Sequence, residues 1–433
     1  MGNGTAPVSA TPRVNQHTAP PPLEPLGFKF CFPCIMALNP AGIPWLSFHR
    51  YARRRQRMRR HEATLRPGYV CCAALLGLLL TGCESEIPVE INLRPALAEI
   101  PADLAAVKFT SEGSPTAPYV MLELNRPGGF SGFVALNRDA RPVWYFRTRG
   151  GPNGFTRRRN GNFVLLDSQR GLVEVTPDTS VVHELPQQAA PGRRIHHDVI
   201  ADPSDRILFV ADDWQVWHDT LINGASIWEW SPESGVVTKR WSSFGPLNPD
   251  LDRGQRTVPA DWVHQNSLSI GPRGNILLSM YFLNQVISIS SDWQSIEWRL
   301  GGIRATIPVT DFFSGQHTAQ EIQPGRVLMF DNGADRAGEK FSRAVEIEIS
   351  GQGARTVWEW RPAKDNWAPA IGSARRLVNG NTVIAFGLSA GLVPGATGPI
   401  EVYEVESSGS IVWHLTVGGD TRSTYRATPV FEF

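Results

Sequence analysis

From residue 118 to residue 433 the chain repeats one pattern: alternating strand, tight turn, alternating strand, turn, with a closing strand that typically carries tryptophan. "IHHDVIADPSDRILFVADD…ASIWEWSPESGVVTKRW", "VHQNSLSIGPRGNILLSMYFLNQVISISSDWQSIEWRL" and "IGSARRLVNGNTVIAFG…IEVYEVESSGSIVWHL" are three of these units. Period-two alternation broken by Gly- and Asn-containing turns is the pattern of consecutive antiparallel hairpins. A recurrence every roughly 50–60 residues, with about four strands in each unit, predicts the blades of a propeller.

Five units are complete. "YVMLELN" and "GFVALNRDARPVWYF" read as the inner part of a blade that lacks its first strand, and the tail "YRATPVFEF" reads as an orphan first strand. Joining them makes a sixth blade, closed by both ends of the chain, so that the ring keeps no open edge. The expected fold is therefore all-β, a six-bladed β-propeller closed by N- and C-terminal strands. A solenoid or a seven-bladed ring requires strands that the sequence does not contain.

Composition agrees with many short strands: 40 Gly, 34 Pro and 14 Trp, with charged residues at 19%. The formal net charge of +1 averages two unlike regions, because residues 1–82 hold ten Lys and Arg against two Asp and Glu. The remainder is mildly acidic and has no basic stripe, which argues against nucleic acid as a partner. All five cysteines (Cys31, Cys34, Cys71, Cys72 and Cys83) precede the repeats. The repeats thus contain neither a disulfide nor a thiolate nucleophile.

The segment from Met58 has a basic start, an apolar run of about a dozen residues and then Leu80-Thr81-Gly82-Cys83. That order resembles a bacterial lipoprotein signal over residues 58–83, with cleavage before Cys83 and a lipid on its thiol. The expected location is a bacterial cell envelope, periplasmic or outer-membrane, with the lipid as the membrane contact. Residues 1–57 are Pro-rich and aperiodic, and we read them as a disordered or non-native extension. Residues 84–117 read as a polar linker with short N-terminal strands.

Aligning the units on the glycine of the internal turn (Gly161, Gly274, Gly325 and Gly380, with Asp205 in its place in one unit) puts His197, Asn266 and His317 eight residues earlier in three successive units. His264 precedes Asn266 by two, so strand alternation would point both the same way. Innermost propeller strands converge on the central channel, and these four polar side chains are expected at its mouth. His196 adjoins His197, and the sequence leaves open which of the two faces the channel. Imidazoles suit zinc, and although no Asp or Glu shares the register, three histidines alone can hold a catalytic zinc, so that option stays open beside the preferred expectation of neither metal nor cofactor. The same groups suit anion chemistry, with one imidazole as nucleophile and the others as donors to an oxyanion.

At these residues the chain resembles the bacterial arylsulfotransferase family. The similar motifs are "HHD" (His196–Asp198), "HQNS" (His264–Ser267), "GNILLS" (Gly274–Ser279), "GQH" before "FDNG" (Phe330–Gly333), Ser342-Arg343 and "GSARRLVNGNT". The resemblance runs from about residue 130 to residue 430. It implies a six-bladed propeller and sulfuryl transfer from a phenolic sulfate to a phenol without a nucleotide donor. His317 matches the nucleophile, which would carry the group as a sulfohistidine. His264 and Asn266 match residues holding sulfate oxygens, with His264 also able to move the phenol proton, and His197 matches a further pocket histidine. The family places an arginine shortly after "GNILLS", where this chain has Tyr281. Arg343 and Arg426 are the candidates to replace its charge.

The rival expectation is a non-catalytic propeller scaffold of the envelope, whose histidines serve structure. A metal-dependent hydrolase or lyase on the same ring is a third. The expected small-molecule partners are aryl sulfates and phenols. Oligomeric state, a homo-oligomer included, is left open.

Overall fold

The computed structural model describes residues 99–187, 194–351 and 353–433. Cys83 and the proposed signal segment lie outside the described residues. Within them, no helix is long and apolar enough to cross a membrane.

Six antiparallel sheets form the blades. Four follow the chain directly, each starting at its innermost strand: Pro152–Arg157, Ile195–Ala201, Gln265–Ile270 and His317–Gln323 open four-stranded sheets. A fifth opens at Ser373–Arg376 and gains an extra outer strand, because Phe109–Gly113 pairs with Ile411–Val417. The sixth is the closing blade: Ser423–Val430 pairs with Tyr119–Asn125 and supplies the missing innermost strand. The six innermost strands contact one another in sequence and return from Ser423–Val430 to Pro152–Arg157, so the ring is closed as expected.

Six apolar clusters fill the six junctions between neighbouring blades. The middle strands are buried on both faces, and alternation divides their residues between two junctions. Leu208 and Val210 pack toward the blade beginning at Gln265. Ile207 and Phe209 pack toward the blade beginning at Pro152. This is why these strands read as continuous apolar runs and not as a half-exposed alternation.

The recurrent tryptophans also hold blade to blade. Trp144, on the outermost strand of the closing blade, donates its indole N–H to Pro177 O at 2.8 Å, in the last turn of the next blade. Trp360 does the same with Gly409 O at 3.0 Å. A large apolar body with one donor at its tip suits a position that is buried and yet beside a turn carbonyl.

The turn register also holds in detail. Gly161, Gly274, Gly325 and Gly380 all have positive φ, and so does Asp205 at +64°. Asp tolerates the left-handed region better than most residues, which accounts for its replacing glycine there.

Candidate active site

A register break at the same level of the ring builds the site. Pairing shifts around residues 196–198, at Asn266, just after His317, around residues 153–154 and around residues 425–426, on five of the six innermost strands. A β-bulge inserts an unpaired residue and re-aims side chains. Here the bulges turn His197, Asn266, Tyr425 and Arg426 toward one another. The alternation argument for His264 and Asn266 is therefore corrected: His264 precedes the strand with φ +50°, and Asn266 is the bulged residue itself.

His317 stands at the start of its strand, 2% exposed. Its Nδ1 lies 2.8 Å from Asn332 Oδ1 and 3.1 Å from Gly315 O, two acceptors that require the hydrogen on that nitrogen. Nε2 keeps its lone pair and, among the described residues, meets only the Ile371 N–H, at 3.3 Å. Burial pushes the imidazole down to about 3, against the pull of the Asn332 hydrogen bond, so it is neutral at ordinary pH.

His264 is held from behind in a comparable way, with Nδ1 2.5 Å from Asp261 Oδ2. Its ring is 4.9 Å from that of His197 and 5.2 Å from that of Tyr281. His197 has φ +62° and its Nδ1 touches Nδ1 of His196. Burial, then the charge that neighbouring imidazoles can carry, keeps His197 well below the usual histidine range. Both histidines of the pair are thus at the site: His197 meets His264, and His196 lies one step back against Asp212.

Asn266 is fully buried. Its amide nitrogen donates to Gln316 O at 2.7 Å, which fixes the entry to the His317 strand, while its Oδ1 has no partner among the described residues. Tyr281 puts its ring 5.4 Å from His317, but its hydroxyl donates away, to Pro369 O at 2.7 Å. With Phe282 and Tyr425 it forms aromatic walls around the three histidines.

The two arginines expected to supply a cation are engaged elsewhere. Arg343 lies on the third strand of its blade, away from the channel, bonded to Asp331 at 3.0 Å and paired with Asp311 and Glu359. Arg426 does lie under the site, but its Nη1 is 2.6 Å from Asp198 Oδ1 and its Nη2 donates to the carbonyls of His197 and Asn266. It fixes the backbone of two site residues. Beyond this ion pair the channel widens into a cavity of about 670 Å³ that includes Asp198, Ser267, Thr318 and Arg375 in its lining.

The profile described as "Arylsulfotransferase (ASST)" matches residues 131–426, more than half of the chain. The chain belongs to the arylsulfotransferase family.

Among solved structures, a Bacteroides caccae protein of unknown function is similar over 73% of this chain and 100% of its own, at 16% identity and a TM-score of 0.50. That likeness bears on the fold alone. Looser likenesses include a Lactobacillus plantarum protein (13% identity, 71% of this chain and 83% of that one, TM-score 0.40). Another is virginiamycin B lyase from Staphylococcus aureus (11%, 72% and 99%, TM-score 0.37). No curated protein matches the sequence.

For this arylsulfotransferase-family chain, sequence reasoning overlooked several site residues. Asn332 lies inside the Phe330–Gly333 motif, and only the fold reveals it as the acceptor for His317. Asp261 and Asp212 sit outside the aligned register. Arg256 comes from the long connection after Val236–Ser242, with its guanidinium carbon 4.0 Å from the Tyr281 ring centroid. It donates to Tyr281 O and Asn284 Oδ1 and stands 3.3 Å from Asp335. Its Nε and Nη1 are buried and have no hydrogen-bond partner among the described residues. A cation is thus present behind Tyr281, supplied from a loop that no repeat alignment would have picked out.

Among the described residues no group of three His, Cys, Asp or Glu is placed to hold a metal ion.

Proposed function

We propose that this chain moves a sulfuryl group from a phenolic sulfate to a phenolic acceptor, with Nε2 of His317 as the transient carrier and no nucleotide sulfate donor. The observation that carries this reading is His317 itself. It is a buried, neutral imidazole, with Nδ1 committed to Asn332 and Gly315 and the nucleophilic lone pair left on Nε2.

In the first half-reaction the Nε2 lone pair forms a bond to sulfur as the sulfur–oxygen bond to the aryl group breaks. The bonding pair leaves on the phenolate oxygen, which takes a proton. The imidazole then carries positive charge, and the two acceptors at Nδ1–H stabilise it. In the second half an acceptor phenol loses its proton, its oxygen bonds to sulfur, and the nitrogen–sulfur pair returns to His317. Sulfuryl transfer of this kind resembles phosphoryl transfer in demanding positioning and charge stabilisation above covalent help. The aromatic walls of Tyr281, Phe282 and Tyr425 suit an aryl ring. This reading assigns the second amide hydrogen of Asn266 to a sulfuryl oxygen, with His264, its Nδ1 held by Asp261, lining the same pocket. We further propose that the protein works at a bacterial envelope, tethered through lipid on Cys83.

The test follows phenol release from 4-nitrophenyl sulfate by residues 84–433, with and without a phenol acceptor, beside His317→Ala. Acceptor-stimulated release that vanishes in a folded His317→Ala protein is the expected result. No release from a folded chain over several aryl sulfates would turn attention to the scaffold reading. One observation favours that alternative: Arg343 and Arg426 are both held by carboxylates.

A further inference from the structure

Consecutive residues on a strand face opposite ways, yet His196 and His197 come together. The bulge between Ile195 and Val199 and the left-handed backbone of His197 bring their rings edge to face, with centroids 4.6 Å apart and Nδ1 against Nδ1. Two ring nitrogens in that contact share one hydrogen. On its other side His196 Nε2 lies 3.1 Å from Asp212 Oδ1, which also accepts from Asn223 at 2.8 Å. A carboxylate there requires the hydrogen on Nε2. Gln265 Nε2, 3.2 Å from the same nitrogen, donates to Ala211 O. Neutral His196 is therefore an acceptor at Nδ1, His197 is the donor, and the lone pair of His197 lies on Nε2.

We propose that Asp212, His196 and His197 form a proton relay that stores the catalytic proton one residue back from the channel; this rests on the sulfuryl-transfer reading above. In the filled relay, which holds one proton more than the neutral pair just described, His196 carries both hydrogens beside the Asp212 carboxylate, and His197 carries its hydrogen on Nε2. As the donor's sulfur–oxygen bond breaks, the phenolate oxygen takes that Nε2 hydrogen, and His197 recovers one at Nδ1 from His196. In the second half the acceptor phenol gives its proton to His197 Nε2, and Nδ1–H passes back to His196. Protons balance over the cycle, and the stored charge rests on His196 beside its carboxylate. His197 is the catalytic residue, and His196 and Asp212 are positioning residues.

The surroundings fit this division. His197 faces His264, His317 and Arg426, all of which oppose a charge on it. His196 faces Asp212, which favours a charge, with Arg194 and His264 opposing and burial the largest effect against it. The relay is consequently filled by lowering the pH below the ordinary histidine range.

The experiment compares kcat/KM for 4-nitrophenyl sulfate, whose phenolate leaves without a proton, and 4-methylphenyl sulfate, whose phenolate needs one. Wild type, His196→Asn and Asp212→Asn are measured from pH 5 to 8. The expected result is a loss at least about tenfold larger for the methylphenyl donor in both variants, within the range of general acid–base effects. The pH dependence seen only with that donor is expected to flatten. Equal losses for both donors, with an unchanged pH profile, would overturn the relay and leave His196 structural. If His196→Asn fails to fold, Asp212→Asn, which keeps a hydrogen-bonding group beside Asn223, decides the matter alone. Absence of wild-type release from either donor, or release surviving His317→Ala, would overturn the parent reading and the relay with it. The two failures are distinguishable, because the first leaves wild-type activity intact.

Discussion

Asn332 accepts from His317 Nδ1 at 2.8 Å while its own amide nitrogen donates to Ala368 O at 2.7 Å and Ile371 O at 2.6 Å. Those two carbonyls settle which end of the amide faces the imidazole, and the imidazole in turn must carry its hydrogen on Nδ1. Asn332→Ala removes that control and leaves Gly315 O as the other acceptor. We expect kcat/KM to fall about 10²-fold, on the scale of general acid–base assistance. Burst kinetics with 4-nitrophenyl sulfate would check it, with the slowing expected in the burst itself.

Asp198 and Arg426 form a buried pair in which Asp198 also accepts from the backbone N–H groups of Val199 and Leu268. Removing one partner leaves a buried charge without compensation. Asp198→Ala should cost about 3–5 kcal/mol, read as a drop in denaturation midpoint. Because Arg426 holds the carbonyls of His197 and Asn266, activity should fall even under conditions where the variant stays folded.

Glu123 is 1% exposed, and among the described residues neither carboxylate oxygen meets a donor in ordinary hydrogen-bond geometry. Burial raises its carboxyl to about 7 from 4.5, although Arg426 pulls the other way. Between those two values the folded chain binds more protons than the unfolded one, so this group's contribution is complete below pH 4.5 and is lost as pH rises toward 7. His317 has the opposite slope, since its depressed value makes stability fall as pH drops from 6.5 toward 3. Glu123→Gln should therefore gain on wild type by about 1–3 kcal/mol on going from pH 4.5 to pH 8. Urea midpoints at those two pH values measure it, and parallel behaviour of the two proteins would refute it.

Tyr281→Phe deletes a hydroxyl that bonds to Pro369 O. The expected result is a loss of about 1 kcal/mol in stability with little change in kcat/KM. A rate loss of about 10², as found on removing an oxyanion donor, would instead put that hydroxyl on the sulfate.

Much of this architecture is legible in the sequence, because blade strands impose period two and turns demand positive φ. Asp205 could be aligned with four glycines for that reason, and the orphan strands at residues 119 and 423 could be joined. The site is legible only in part. His197, Asn266 and His317 keep a common distance from an aligned turn, so spacing finds them. Asp261, Asp212 and Arg256 reach the site from a loop or a second strand, at offsets that no other blade repeats. Arg343 misled for the converse reason: it lies in a family-like motif, but a third strand points it at Asp331 and Asp311. Bulges also defeat period-two reasoning where it matters most, as the meeting of His196 and His197 demonstrates.

The strand Ser423–Val430, which closes the ring, also carries Tyr425 and Arg426 into the floor of the site. It follows every other innermost strand in the chain. A ribosome therefore releases the histidines long before it releases the residues that fix their backbones. Any nascent or truncated chain lacking this strand would expose its imidazoles without organising them, and competence would arrive in one late step. A protein built this way is silent until its last strand is in place.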